Sequence, residues 1–215
     1  MATPKKGYYT ADGSRVPGVT TILSRFKDAS GIIHWAWQCG IDGKDYREVR
    51  DNAADIGTLA HSMVEAYIHK REFKPYGYTD EQITKAGNSF AAFLSWATDT
   101  QLIAAETEIR MVSEKYRYGG TPDVFFVKGK RSLGDWKSSN AVYPEYICQL
   151  AAYKNLWEEN HPDQPIDGGA HLIRFDKTYG DFHHHYYSDL DDAWEAFKHM
   201  RVLYDLDKIL KKRVA

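Results

Sequence analysis

The chain has 215 residues, 43% hydrophobic and 27% charged, with a formal net charge of −2. That is the balance of a soluble globular protein long enough to bury a core in one domain spanning 1–215, and no run of about 18 apolar residues exists to span a bilayer. Two cysteines, Cys39 and Cys148, far apart and without CxxC pairing, argue against a disulfide framework, a zinc site or an iron–sulfur cluster. The near-neutral charge does not advertise a nucleic-acid binder, although "HKR" (69–71), "KGKR" (128–131) and "KKR" (211–213) could each supply a basic edge. The N-terminus "MATPKKGYYT" lacks the apolar core of a signal peptide, so an intracellular protein without a membrane partner is expected.

Along the chain, "GYYTADGSRVPGVTTIL" places two β-prone runs around Asp12-Gly13 and predicts an N-terminal hairpin over 7–24, leading into a helix near 19–26. "SGIIHWAWQCGI" (30–41) reads as a short apolar helix. A longer helix follows over 44–71, and "TDEQITKAGNSFAAFLSWATDT" (79–100) is a third with a Thr cap. The period then changes. The stretches 102–114, 119–130 and 131–139 read as consecutive strands of an antiparallel meander. A helix over 143–161 with Pro144 in its first turn, a strand pair within 167–189 and a charged amphipathic helix over 189–213 complete the chain. The order predicts an α/β protein with one mixed central sheet flanked by helices.

The chemistry lies in the strands. "GGTPDVFF" sets Asp123 at the mouth of a strand that must be buried, where a carboxylate needs a cationic partner. Twelve residues on, "LGDWKSS" carries Asp135 and Lys137 on one strand face with Trp136 on the other, and hairpin pairing is expected to set Asp123 and Asp135 side by side. Two adjacent carboxylates call for Lys137 alone, as an ordinary ion pair, or for a divalent cation with Lys137 nearby. The second arrangement suits phosphodiester hydrolysis. "IGTLAHSMVEAYI" (56–68) places His61 and Glu65 four apart on a helix face, and "QLAAY" (149–153) does the same with Gln149 and Tyr153. Each also has a purely structural explanation.

Taken in order, "GTLAH", "YGGTPD", "LGDWKSS" and "QLAAY" resemble the RecB-like nucleases of the PD-(D/E)xK superfamily, including its phage-type and mitochondrial genome-maintenance exonucleases. The likeness covers about residues 56–153. It implies a restriction-endonuclease-like core and a Mg²⁺- or Mn²⁺-dependent DNA exonuclease of recombination, repair or viral genome processing, with one or two metal ions and no iron–sulfur cluster. His61, Asp123, Asp135 and the Trp136 carbonyl would hold the metal. Lys137 would be catalytic beside Asp123 and Asp135, Gln149, Tyr153 and Ser138 would hold substrate, and Glu65 and Glu108 would be supporting acids, with Glu106 competing for the place of Glu108. The partner would be linear DNA, single- or double-stranded, with a single-strand annealing protein as a further partner by analogy. A structure-specific endonuclease on the same core and a catalytically silent DNA-binding or assembly module are the alternatives, and RNA stays open as substrate.

Outside these motifs, "HHH" (183–185) alternates along a strand and cannot converge on one ion, though His183 and His185 could face a phosphate. The aromatics Tyr8, Tyr9, Trp35 and Trp37 could stack on unpaired bases, with packing of the hairpin against the domain as the competing role.

Overall fold

The computed structural model describes residues 7–106, 109–139, 141–175 and 182–214. The N-terminal hairpin forms as β1 (Tyr8–Tyr9) and β2 (Arg15–Val16), with Tyr8 opposite Val16. Asp12 accepts hydrogen bonds from the Thr10 hydroxyl at 2.7 Å and the Ser14 amide at 2.9 Å, and Gly13 takes φ +79°, a conformation that only glycine adopts without strain. Three longer helices follow the short α1 (Val19–Leu23), which ends before the expected residue 26: α2 (Ser30–Ile41), α3 (Tyr46–Ile68) and α4 (Asp80–Asp99). The Thr cap of α4 is a reciprocal capping box, in which the Gln82 amide donates to Thr79 Oγ1 at 3.2 Å and the Thr79 amide to Gln82 Oε1 at 2.9 Å.

The meander expected over 102–139 is not continuous. Residues 102–114 divide into β3 (Ile103–Glu106) and β4 (Met111–Ser113), and β4 pairs with β5 (Tyr118–Gly120) in a separate two-stranded ribbon. What draws the ribbon away is the helix α5 (Pro144–Asn160): Ser113 Oγ donates to Glu159 at 2.6 Å and the Tyr118 hydroxyl to the Ala152 carbonyl at 2.9 Å. The main sheet contains β3, β6 (Asp123–Val127), β7 (Lys130–Ser138), β8 (Ala170–Phe175) and β9 (Phe182–Tyr187), in spatial order β3-β6-β7-β8-β9. The β7–β8 pair is parallel and the others antiparallel, because α5 supplies the crossover that a parallel pair requires. The chain ends in α6 (Asp191–Arg213). Among the described residues no helix is long and apolar enough to cross a membrane.

Helices cover both faces of the sheet, and strand alternation divides the core in two. Val124, Leu133 and Leu172 point into a cluster with α1, α5 and α6, built on Ile22, Leu150, Leu156 and Phe197. Val127, Ile173 and Phe175 point into the other, with Leu59 and Val64 of α3 and Phe93 of α4, and Trp136 packs against it.

On that second face His171, 6% exposed, lies 2.8 Å (Nδ1 to Nε2) from His184, with the two rings stacked 8° from parallel. Burial first, and then the neighbouring His184, push the His171 pKa down to about 4. A depressed imidazole is neutral in the folded chain where the unfolded chain is protonated. Its stabilising contribution is therefore complete above pH 6.5 and is lost as pH falls toward 4. Acidifying from pH 7 to pH 4.5 should lower stability by on the order of 3 kcal/mol. Thermal melts should show this slope in the wild type and a flatter one in His171→Asn; equal slopes would remove His171 as its cause.

Candidate active site

The notch that could serve as a site follows from strand register. Asp123 is the first residue of β6 and lies opposite Gly134, so β7 runs on through Asp135, Trp136, Lys137 and Ser138 with no β6 partner beside it. On the other side these residues stay paired with Leu172, Ile173, Arg174 and Phe175 of β8. Among the described residues the end of β7 thus pairs with β8 alone.

The register also corrects the expectation that Asp123 and Asp135 stand side by side. Opposed residues of an antiparallel pair share a face, so Asp123 lies on the Gly134 and Trp136 face and Asp135 on the α5 face with Lys137. The two carboxylates approach the notch from opposite sides of the sheet. Both act on the Tyr153 phenol, whose pKa is pushed up by burial first, then by the charge of Asp135, with a smaller effect of Asp123.

On the α5 face a connected polar chain is built. Lys137 Nζ is 2.8 Å from Asp135 Oδ2 and donates to Asp135 Oδ1 at 3.2 Å and to Gln149 Oε1 at 2.8 Å. Gln149 Nε2 then donates to the Tyr153 hydroxyl at 2.9 Å. The four-residue spacing of Gln149 and Tyr153 puts both side chains on the α5 surface that packs on the sheet, where they are 7% and 9% exposed. Gln149 thus bonds both Lys137 and Tyr153, an arrangement that positions the lysine. Burial raises the Asp135 pKa, and the Lys137 charge and hydrogen bond oppose that rise.

Tyr146 completes the lysine's surroundings, its ring centroid 5.0 Å from Lys137 Nζ. The motif reading missed this residue. Tyr146, Gln149 and Tyr153 follow i, i+3, i+7 spacing, so one helix face carries all three, and that spacing was the available signal.

On the opposite face a cavity of about 130 Å³ is lined by His61, Glu65 and Val64 of α3, by Ile68 and His69 at its end, and by Asp123, Phe125 and Trp136. His61 packs edge-on against Phe175 at 6.1 Å, and Glu65 is ion-paired with Arg71 at 2.7 Å. His69, four residues beyond Glu65, extends this wall, and the sequence marked it only as part of the basic run 69–71. Ser138 closes β7 opposite Phe175, and Glu106 ends β3 across a register shift from Val124. Glu108 lies outside the described residues.

The glycines of "YGGTPD" set how the parts meet. A side chain on Gly119 would run into the Tyr8 ring, whose hydroxyl is 2.9 Å from Thr121 Oγ1, so the missing Cβ lets the N-terminal hairpin dock just before Asp123. A Cβ on Gly120 would come to 2.7 Å from Tyr153 Cε1 and 2.8 Å from Leu156 Cδ1. Gly120→Ala should therefore destabilise by about 1–3 kcal/mol through overpacking, read as a lower urea midpoint at unchanged slope. An unchanged midpoint would show that Tyr153 can yield.

Among the described residues no group of three or more His, Cys, Asp or Glu side chains is drawn together as a preformed metal cage. Carboxylates such as those of Asp123 and Asp135 are hard oxygen ligands of the kind Mg²⁺ takes, an ion that keeps several waters and needs only one or two of them.

No family model matches the sequence, and no curated protein matches it. Among solved structures the chain is similar to a "Putative exonuclease" from Eubacterium rectale, at 14% identity and a TM-score of 0.47 over 73% of this chain. It spans 66% of that protein's length. A second similar structure is that of the protein SSO0001, at 13% identity and a TM-score of 0.33, covering 71% of this chain and 74% of the other.

Proposed function

We propose that the protein is a Mg²⁺- or Mn²⁺-dependent DNA exonuclease on a single PD-(D/E)xK domain, hydrolysing phosphodiester bonds at the open end of β7. The observation that carries this reading is Lys137, which Asp135 and Gln149 hold at a strand edge that β6 leaves uncovered. A structural ion pair needs neither the Gln149–Tyr153 chain behind it nor a free strand edge in front of it.

Asp123 and Asp135, with the Trp136 carbonyl and His61 nearby, are the residues that would hold the metal. A divalent cation held by these residues would supply charge neutralisation at the scissile phosphate and a more acidic attacking water. Lys137 meets two carboxylate oxygens, an amide oxygen and a tyrosine ring. Its Nζ stabilises charge developing on the phosphate oxygens. Gln149 fixes its direction, because its amide oxygen is committed to Lys137 and its amide nitrogen to Tyr153. Tyr153 stays protonated at neutral pH, since burial and the Asp135 charge disfavour the phenolate.

End-labelled duplex, end-labelled single strands and closed circles, each incubated with Mg²⁺ and with Mn²⁺, test the proposal. Shortening of linear DNA with circles left intact is expected. Cleaved circles would make the protein an endonuclease on the same core. Intact DNA in both metals would leave a binding or assembly module.

A further inference from the structure

Strand register carries basic side chains across the sheet beside Lys137. On the face that α5 covers, Lys137 of β7 lies next to Arg174 of β8, Arg174 lies opposite His183 of β9, and His185 lies opposite Leu172. Residues paired across neighbouring strands share a face and stand about 4.8 Å apart along the sheet. Lys137, Arg174 and His183 therefore form one row about 10 Å long, with His185 beside its end. Arg174 is the fixed member, 8% exposed, and its Nη1 donates to the Ser139 carbonyl at 2.8 Å. His183 is exposed and His185 half-buried, so the row opens to solvent at β9.

Other features of this corner favour an anion. β7 and β8 run parallel with α5 as their crossover, so the first turn of α5 lies at their carboxyl ends, where the Tyr146 ring reaches Lys137. Ligands of open α/β sheets bind at that end, and the first turn of a helix attracts negative charge. Glu145 in that turn is ion-paired with Lys27 at 3.2 Å, and Asp135 with Lys137 at 2.8 Å. Burial first, then the charges of His183 and Arg174, hold the His185 pKa below the usual imidazole value, as follows where positive groups crowd one face.

We infer that Arg174, His183 and His185 form a phosphate-binding subsite that holds a phosphate of the DNA strand beside the one at Lys137, an inference that rests on the nuclease reading of the Lys137 site. The planar fork of Arg174 suits two phosphate oxygens, and the imidazoles donate from the open side. Phosphate contacts fix register and orientation without reading sequence. A strand held at two phosphates cannot swing about the scissile one, so the row also sets the direction in which the strand crosses the site.

Arg174→Ala would disturb a buried side chain, so the test uses the exposed His183, where His183→Glu should keep the wild-type melting temperature. Binding of a short fluorescent oligothymidylate is measured in EDTA, which prevents metal-dependent cleavage, from about 50 to about 200 mM salt. His183→Glu should weaken binding about tenfold, the worth of one charge-assisted hydrogen bond. It should also flatten the slope of log K against log salt by about 0.7, the share of one single-strand phosphate. Lys115→Glu, a larger change of charge near Glu159 at the far end of α5, should do neither. In cleavage of linear DNA by His183→Glu, KM should rise more than kcat falls. Oligomers ending in a 5′-hydroxyl, a 5′-phosphate or a 3′-phosphate identify the source: equal losses on all three mean an internal phosphodiester, and a loss confined to one phosphorylated end means that terminal phosphate. A His183→Glu chain that binds with wild-type affinity and slope overturns the inference, even where the wild type cuts DNA. So does an equal loss in Lys115→Glu. A wild type that shows the His183→Glu loss but cuts nothing in Mg²⁺ or Mn²⁺ keeps the subsite and overturns the nuclease reading, and a wild type that binds no DNA overturns both.

Discussion

Lys137→Ala should lose at least about 100-fold in the rate of linear DNA cleavage, the usual loss when one preorganised group that stabilises transition-state charge is removed. The same substitution should unbalance the fold. Asp135 is 9% exposed, and Lys137 donates to it and is its ion-pair partner. Removing one member of a buried pair costs about 3–5 kcal/mol because the other charge stays desolvated. Asp135 can escape that penalty by taking up a proton, and its pKa is already raised by burial. For an acid whose folded pKa is raised, the stabilisation belongs to the protonated form and is lost as pH rises through the folded value. The Lys137→Ala defect should thus be smaller at pH 5 than at pH 8, as urea midpoints at the two values will show.

Removing both charges separates the two effects. The Asp135→Asn, Lys137→Met variant should recover most of the stability and none of the cleavage. Cleavage by Lys137→Ala at the wild-type rate would reduce Lys137 to a structural ion pair. A pH-independent stability loss would show that Asp135 is not what it leaves exposed to penalty.

Trp136→Ala is also expected to lose about 3–5 kcal/mol of stability, the usual cost of deleting a large aromatic from a packed cluster. Trp136 meets Phe93 at 5.2 Å, Phe125 at 5.4 Å and Trp96 at 6.1 Å, each in an edge-on arrangement. Such contacts add to the burial of the ring. Trp136→Phe keeps part of the cluster and should lose clearly less. The anchor also matters for the notch, because this ring clamps the strand on one face while Asp135 and Lys137 work from the other. Cleavage by Trp136→Ala should fall even at temperatures where the variant remains folded. A loss below about 1 kcal/mol would mean that the cluster repacks without the indole.

Features governed by neighbours in sequence were legible before the structure. "TDEQ" announced the capping box of α4, the two runs around Asp12-Gly13 announced the hairpin, and Gln149 and Tyr153 were placed on one helix face. The helix-and-strand order and the mixed sheet follow from periodicity of the same kind. Residues 102–114 were harder, because their alternation is real, but packing under α5 draws β4 out of the sheet. The N-terminal aromatics also divided: Tyr8 packs on the Gly119 backbone as hairpin packing requires, while Trp35 and Trp37 stay 37% and 59% exposed on α2.

By itself, then, the sequence determined which residues bear the candidate chemistry and which strand or helix carries each, since side-chain period is a local property of the backbone. Tertiary structure decided who meets whom. Register set Asp123 against Gly134 and so on the face opposite Asp135, α5 brought the Gln149 amide to Lys137, and β6 stopped short of the end of β7 that carries Asp135 and Lys137. These depend on strand pairing and helix docking between segments distant in the chain, where a shift of one residue turns every side chain to the other face.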